Sequence, residues 1–136
     1  MKWPLIKIPS IIYLEMISHS QKEWPNEACG ILAGTDDEVR KIYPLENQEK
    51  SPYKFLISPL DQLKVLSDIE KSDLRMVGVY HSHPNTDPYP SKRDLEFAIY
   101  PDVLSVIISL KRKEKPKVYI FSFEDGNVKE VEYTIT

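Results

Sequence analysis

Met76-Val77-Gly78-Val79-Tyr80-His81-Ser82-His83-Pro84 is the stretch in which fold and chemistry meet. Met76 to Tyr80 is an apolar run with no charged residue, the pattern of a strand buried inside a sheet rather than one with a wet face. The run empties directly into His81-Ser82-His83. Residues two apart on an extended chain point to the same side. Two imidazoles can therefore converge on one ion without unusual backbone, and neutral imidazole suits a borderline metal such as zinc.

Working outward from this strand, helix-like and strand-like patterns alternate. Upstream, Leu5 to Ile8 reads as a short strand. Ser10 is placed to cap a helix reaching about Lys22, with Ile11, Leu14 and Ile17 recurring at threes. Trp24-Pro25-Asn26 ends it. Ala28 to Gly34 is a short apolar run, Asp36-Asp37 a turn, and Val39 to Leu45 a partner strand. Glu46 to Pro52 is polar and predicts a loop, and Tyr53 to Ile57 predicts another strand. Ser58, Pro59 and Asp61 mark a helix start. Leu60, Leu63, Leu66 and Ile69 recur every three residues along that helix.

Downstream, His81 to Pro90 is a loop holding Pro84, Pro88 and Pro90. Ser91 to Tyr100 predicts a helix, and Val103 to Leu110 and Val118 to Phe123 predict strands. Glu124-Asp125-Gly126-Asn127 is a turn into a last strand, Val128 to Ile135. The order predicts an α/β fold: one mixed central β-sheet flanked by helices. The 136 residues fit a single domain, 1–136, large enough to bury a core without disulfides or a structural metal.

A metal held by His81 and His83 needs further ligands. Asp94 follows after ten intervening residues, and the proline-rich turn can bring a helix start back towards the histidines. Two histidines and one carboxylate leave a position for water, the arrangement of a catalytic rather than a structural zinc. Hydrolysis also needs a carboxylate near the metal but not on it. Glu27 stands at the mouth of the apolar run Ala28-Cys29-Gly30-Ile31-Leu32, where partial desolvation raises a carboxyl pKa towards a useful range.

Each of these residues also has an ordinary reading. His-x-His can be a metal-free loop pair, Ser91 and Asp94 fit a capping box, and Glu27 fits a solvated strand end. Their combination in one order is what carries weight, and Ser91 can serve as both cap and active-site group. His19 lies on a polar stretch and reads as a surface histidine. Cys29 reads as a buried structural thiol. Lys111-Arg112-Lys113-Glu114-Lys115 reads as a solvated strand end, with an acidic partner surface as its functional alternative.

The net charge of -3, from 18 Lys and Arg against 21 Asp and Glu, gives no electrostatic case for nucleic acid or an anionic membrane. A single cysteine allows no intrachain disulfide and suits a reducing compartment. Met1-Lys2-Trp3-Pro4 lacks a signal-peptide pattern, and no apolar run reaches transmembrane length. The expected location is the cytoplasm.

Taken together, Glu27, His81-Ser82-His83-Pro84 and Pro90-Ser91-Lys92-Arg93-Asp94 resemble the JAMM, or MPN+, metallopeptidase family. The flank Asn26 to Leu32 is similar to the family's opening motif, and Asn47 to Pro59 to the region before its second helix. The resemblance covers nearly the whole chain. It implies an MPN, cytidine-deaminase-like architecture and zinc held by His81, His83 and Asp94. It implies that Glu27 moves a proton from water to the leaving amine and that Ser91 steadies the oxyanion. It also implies a partner: a ubiquitin-like or sulfur-carrier protein with a Gly-Gly tail, cleaved at the peptide or isopeptide bond after that tail. The chain has no room for the long insertions of eukaryotic deubiquitinases and looks like the compact archaeal and bacterial members. A homodimer is left open. The rival readings are a non-catalytic MPN interaction scaffold and a DNA-repair-associated protein of the RadC type.

Overall fold

The structure, a computed structural model, describes residues 3–96 and 102–136. Its main sheet has six strands in the order β3-β2-β4-β5-β6-β7. These are β2 (Cys29–Gly34), β3 (Val39–Leu45), β4 (Arg75–His83), β5 (Leu104–Ser109), β6 (Lys117–Glu124) and β7 (Asn127–Val131). β4 and β5 run parallel, and every other neighbouring pair is antiparallel. The expected mixed sheet is thus present, with β4 and β5 at its centre. Helices α1 (Ser10–Glu23) and α2 (Pro59–Lys71) pack with two separate apolar clusters. Among the described residues, no helix is long and apolar enough to cross a membrane.

β4 continues past Tyr80 through both histidines, because Ser82 and His83 still pair with Ile108 and Ser109 of β5. Along β4, Tyr80 joins the larger cluster with Ile12 and Met16 of α1, while Val79 lies against the smaller one with Val65 and Ile69 of α2. Strand alternation therefore sends His81 and His83 to the α2 side.

Several sequence expectations need correction. Pro9, not Ser10, occupies the N-cap position of α1, and its carbonyl accepts from the N–H groups of Ile12 and Tyr13. The buried residues of α1 are Ile12, Met16 and Ser20, spaced by fours. Ile11 and Leu14, expected inside, are 67% and 62% exposed. α2 repeats the pattern: Ser58 caps it as expected through Asp61 N–H, yet Val65 and Ile69 form its buried stripe and Leu60 and Leu63 face outward. A run at strict threes drifts around a helix of 3.6 residues per turn, so it cannot mark one buried face for long.

Tyr53 to Ile57 is not a strand. Its backbone is satisfied locally instead: Leu56 N–H donates to Asn47 Oδ1, and Leu56 C=O accepts from Gln48 N–H. The last expected strand is two. β7 stays in the main sheet, while β8 (Tyr133–Ile135) leaves it to pair in parallel with β1 (Ile6–Ile8). The turn between β6 and β7 has positive φ at both Asp125 and Gly126, the tight hairpin geometry that Asp-Gly favours. α3 (Lys92–Glu96) begins the helix expected from Ser91, and residues 97–100 of that expectation lie outside the described residues, as do Met1 and Lys2. His19 is half-buried rather than on the surface, with Nδ1 2.7 Å from the hydroxyl of Tyr80.

Candidate metal centre

The register of β2 against β4 builds the site. Cys29 pairs with His81 in antiparallel sense, so two residues further out Glu27 stands across from His83. Ser82, between the two histidines, points away from them and clasps the start of β2. Its Oγ accepts from Ala28 N–H at 2.8 Å, and its own N–H donates to Ala28 C=O at 3.0 Å. Glu27 is thereby fixed relative to the histidines by the residue that separates them.

His81 Nε2, His83 Nε2 and Asp94 Oδ2 form a near-equilateral triangle. The two nitrogens are 3.2 Å apart, and each lies 3.2 or 3.1 Å from the oxygen. A single proton can bridge only one of these three contacts. His83 donates Nδ1–H to the carbonyl of Asp87 at 2.8 Å, which leaves its Nε2 as an acceptor. Acceptor atoms crowded at this distance call for a cation between them. A tetrahedral zinc with ligands at its usual distances holds them about 3.3 Å apart. The donor set and its spacing thus fit zinc.

Neighbouring groups hold the triangle in place. Phe55 stacks on His81 with ring centroids 4.8 Å apart. Ser91 and Asp94 form a reciprocal box: Asp94 N–H donates to Ser91 Oγ at 3.1 Å, and Ser91 N–H donates to Asp94 Oδ2 at 2.9 Å. Ser91 is exposed beside the triangle, and its hydroxyl proton is not used in the box.

The electrostatics differ from group to group. Burial pushes His81 below the ordinary imidazole range, against the pull of Asp94. Burial also lowers His83, but the hydrogen bonds to Asp94 and to the carbonyl of Asp87 outweigh it and the net shift is upward. The two histidines hold Asp94 well below the usual carboxylate range even though burial opposes this. Glu27, only 4% exposed, is pushed up to about 8, chiefly by burial, with His83 pulling it down and Asp94 pushing it further up. Its Oε1 is buried and has no hydrogen-bond partner among the described residues. An unpartnered buried carboxylate oxygen beside three converging ligand atoms is a place for water.

Every residue singled out in the sequence for this site, Glu27, His81, His83, Ser91 and Asp94, lies at this one end of the sheet. Two others were missed. Ser82 is one, and its only sequence signal is its place between the histidines. Asn47 is the other: it is buried and saturated with hydrogen bonds. Nδ2 donates to the carbonyls of Glu27 and Lys54, and Oδ1 accepts from the N–H groups of Glu49 and Leu56. Nothing in local spacing distinguishes it from the polar loop around it.

A trough of about 310 Å³ opens from the triangle, lined by Phe55, Leu56, Leu66, Val79, His81 and Asp94 among others. Residues 54–57 line it, and the polar loop Glu46 to Ser51 does not. Cys29 is fully buried, and burial pushes its thiol up to about 12, which leaves no thiolate for nucleophilic chemistry.

The family model described as prokaryotic homologs of the JAB domain matches residues 9–123. A CysO-cysteine peptidase of Mycobacterium tuberculosis is 35% identical over 117 residues, covering 85% of this chain and 80% of that one. A desampylase of Pyrococcus furiosus is 34% identical over 109 residues, covering 80% and 76%. The solution structure of a Desulfitobacterium hafniense protein matches with TM-score 0.89 and 36% identity, covering 97% of this chain and 93% of that one. A JAB1/MPN domain protein of Archaeoglobus fulgidus matches with TM-score 0.61 and 19% identity, covering 95% and 99%, which shows the shared fold.

Proposed function

Because the chain belongs to the family of prokaryotic JAB-domain homologs, we propose that it is a zinc-dependent JAMM-type peptidase with residues 1–136 as one catalytic domain. Its reaction is hydrolysis of the peptide or isopeptide bond that follows the C-terminal tail of a ubiquitin-like modifier or sulfur-carrier protein. Relatives named as a CysO-cysteine peptidase and a desampylase support this substrate class. The observation that carries the proposal is the 3.1–3.2 Å triangle of His81, His83 and Asp94 with the unpartnered carboxylate of Glu27 beside it.

In this reading His81, His83 and Asp94 would hold zinc, and when bound it would supply Lewis acidity to the scissile carbonyl and to water. Glu27 accepts the proton of the attacking water and delivers it to the leaving amine. Its raised pKa, set chiefly by burial, suits both halves of that task near neutral pH. The Ser91 hydroxyl donates to the oxyanion, positioned by the same box that holds Asp94. The tail would lie in the trough beside Phe55, which is stacked on His81, and a tail of small residues such as Gly-Gly would approach the triangle there. A cytoplasmic location belongs to the same reading, supported by the lone buried cysteine.

A complete acid–base and ligand set favours an enzyme over a non-catalytic scaffold. The Glu27-Ala28-Cys29-Gly30 opening and the acidic balance of the chain favour a peptidase over a RadC-type protein.

The test separates metal binding from chemistry. Glu27→Gln keeps the size of the side chain but cannot accept the proton. We expect zinc content near that of the parent protein and a fall in kcat of about 10²–10⁴-fold with little change in KM. Single-turnover cleavage of a Gly-Gly-tailed conjugate and elemental analysis of the same sample read both. Cleavage at the parent rate with zinc in place would assign the base to another group.

A further inference from the structure

Ser109 ends β5, a strand whose Leu104, Val106, Ile107 and Ile108 are buried and apolar. Ser109 is only 4% exposed and buries a hydroxyl beside them. A hydroxyl taken out of water costs free energy unless it is hydrogen-bonded, and an apolar side chain would carry no such cost. The residue offers no proposed ligand and takes no part in the chemistry above.

Its hydroxyl is fully committed. Oγ–H donates to the carbonyl of Thr86 at 2.5 Å, and Oγ accepts from the N–H of Lys111 at 3.3 Å. The second bond is the ordinary local turn of a serine at a strand end, and it needs only an acceptor. The first reaches back 23 residues, into the loop that joins His83 to Ser91. Ser109 can reach that loop because it pairs with His83 across β4 and β5, and residues paired on neighbouring strands share a face of the sheet. Leu110 N–H locks the rung by donating to the carbonyl of His83 at 3.0 Å.

Thr86 directly precedes the residue that orients His83. The carbonyl of Asp87 accepts His83 Nδ1–H at 2.8 Å and Tyr89 N–H at 2.8 Å. Between Asp87 and Tyr89 stands Pro88, whose ring fixes its φ. The Tyr89 ring in turn meets Phe121 edge-on at 5.4 Å. The Asp87 carbonyl is therefore aimed from two sides, by Pro88 and Tyr89 after it and by Thr86, held to Ser109, before it. The ion pair of Lys111 Nζ with Asp87 Oδ1 at 3.3 Å holds the Asp87 side chain rather than its carbonyl. Both of its groups are more than half exposed, so it adds little. The same loop leads through Pro90 to Ser91 and Asp94, so its course also sets where Asp94 stands relative to His83.

We infer that Ser109 is a positioning residue of the metal centre. Its hydroxyl fixes the loop that turns Nε2 of His83 into the triangle and brings Asp94 back to it. The inference rests on the metal reading given under the proposed function, and it adds a residue from a strand that carries no proposed ligand. Groups that hold a histidine ligand from behind change metal affinity by about 10–100-fold when removed. Ser109 acts one step further out, through Thr86, so the lower end of that range is expected.

The test uses the intact protein loaded with zinc or with cobalt(II). Ser109→Ala deletes the hydroxyl and Ser109→Thr keeps it. Ser20→Ala is the control: it deletes a buried hydroxyl on the α1 side of the sheet, where Ser20 Oγ–H donates to the carbonyl of Met16. Competition with a chromophoric chelator reads zinc affinity, and the visible absorption of the cobalt protein reads ligand geometry. Ser109→Ala should bind zinc about tenfold more weakly than the parent and give a shifted or weakened cobalt spectrum, while Ser109→Thr stays within about threefold. Ser20→Ala should match the parent in both, whatever its effect on thermal stability. Equal zinc affinity in Ser109→Ala and the parent overturns the inference. So does an equal loss in Ser109→Thr, which assigns the effect to side-chain size, or an equal loss in Ser20→Ala, which assigns it to a general loosening of the fold. A parent protein that takes up neither metal removes the metal reading and the inference together, an outcome distinct from the other three.

Discussion

Tyr80 and His81 are neighbours in β4 that face opposite sides of the sheet, and each belongs to a group that includes a histidine with a shifted pKa. On the α1 side the Tyr80 hydroxyl meets His19 Nδ1 at 2.7 Å, one donor for one acceptor. Burial lowers the His19 pKa and raises that of Tyr80, so both stay neutral. On the α2 side three ligand atoms crowd together at 3.1–3.2 Å, and Glu27 Oε1 has no partner among the described residues. Burial and shifted pKa values are common to both clusters. What separates them is satisfaction: the first is closed, and the second is complete only with something added. A perturbed titratable group is a weak signal of function until the hydrogen bonds around it have been counted.

The sharpest way to break this contrast is to empty the second cluster. His83→Ala should lower zinc from about one per chain to background and remove activity, because two ligands hold the ion poorly. Elemental analysis alongside a cleavage assay reads both. Retained zinc would mean that the triangle is not the site.

A second effect is on stability, and its sign follows from the pKa of Glu27. The folded-state value of about 8 lies above the ordinary 4.5, so the folded protein disfavours the carboxylate. Relative to a freely ionising carboxyl, the folded state carries no penalty at pH below about 4.5, and it loses stability steadily as pH rises towards about 8. In metal-free protein, Glu27→Gln should therefore be more stable than the parent at pH 8, on the order of a few kcal/mol, with the gap shrinking towards pH 5. Denaturant unfolding at the two pH values checks it. A gap that is flat with pH would show that Glu27 ionises freely. The gain would also sit at the proposed base, as expected of a functional site held at a cost to stability.

The closed cluster should respond the other way. Tyr80→Phe deletes one hydroxyl and leaves His19 short of a partner, which costs about 1 kcal/mol and lowers Tm by roughly 3–6 °C. Hydrolysis should stay within about twofold, since the change lies across the sheet from the triangle. A large loss of kcat without loss of stability would join the two faces into one site.

The smallest effect belongs to Cys29. Its thiol is buried and pushed up to about 12. Cys29→Ser should keep activity within about threefold, and thiol alkylation of the folded parent should not inhibit it. Strong inhibition would move the chemistry to the thiol.

What could be read from the sequence divides along the same line. His81, His83 and Asp94 were legible because strand alternation and a capped helix start are local rules, and the motif stands on both. The sheet was legible because buried strands are short and apolar. The helix faces were not: Ile11, Leu14, Leu60 and Leu63 look like core residues and are exposed, because an apolar residue outside carries no mark of its position. Tyr53 to Ile57 looked like a strand because propensity cannot show that its backbone is claimed by Asn47 and Gln48. His19 reads as a surface residue because its partner, Tyr80, is 61 residues away. Ser82 and Asn47 act through contacts between distant segments, which no spacing rule encodes.

The four hydrogen bonds of Asn47 have a mechanical consequence. One amide holds the carbonyl of Glu27, the carbonyl of Lys54 and the N–H of Leu56. The wall of the trough and the root of the proposed base are therefore two arms of one lever with Asn47 as its pivot. Under the proposed function, a tail seated against Leu56 would bear through this one amide on the segment that carries Glu27. Selectivity built this way is registered in turnover as well as in grip.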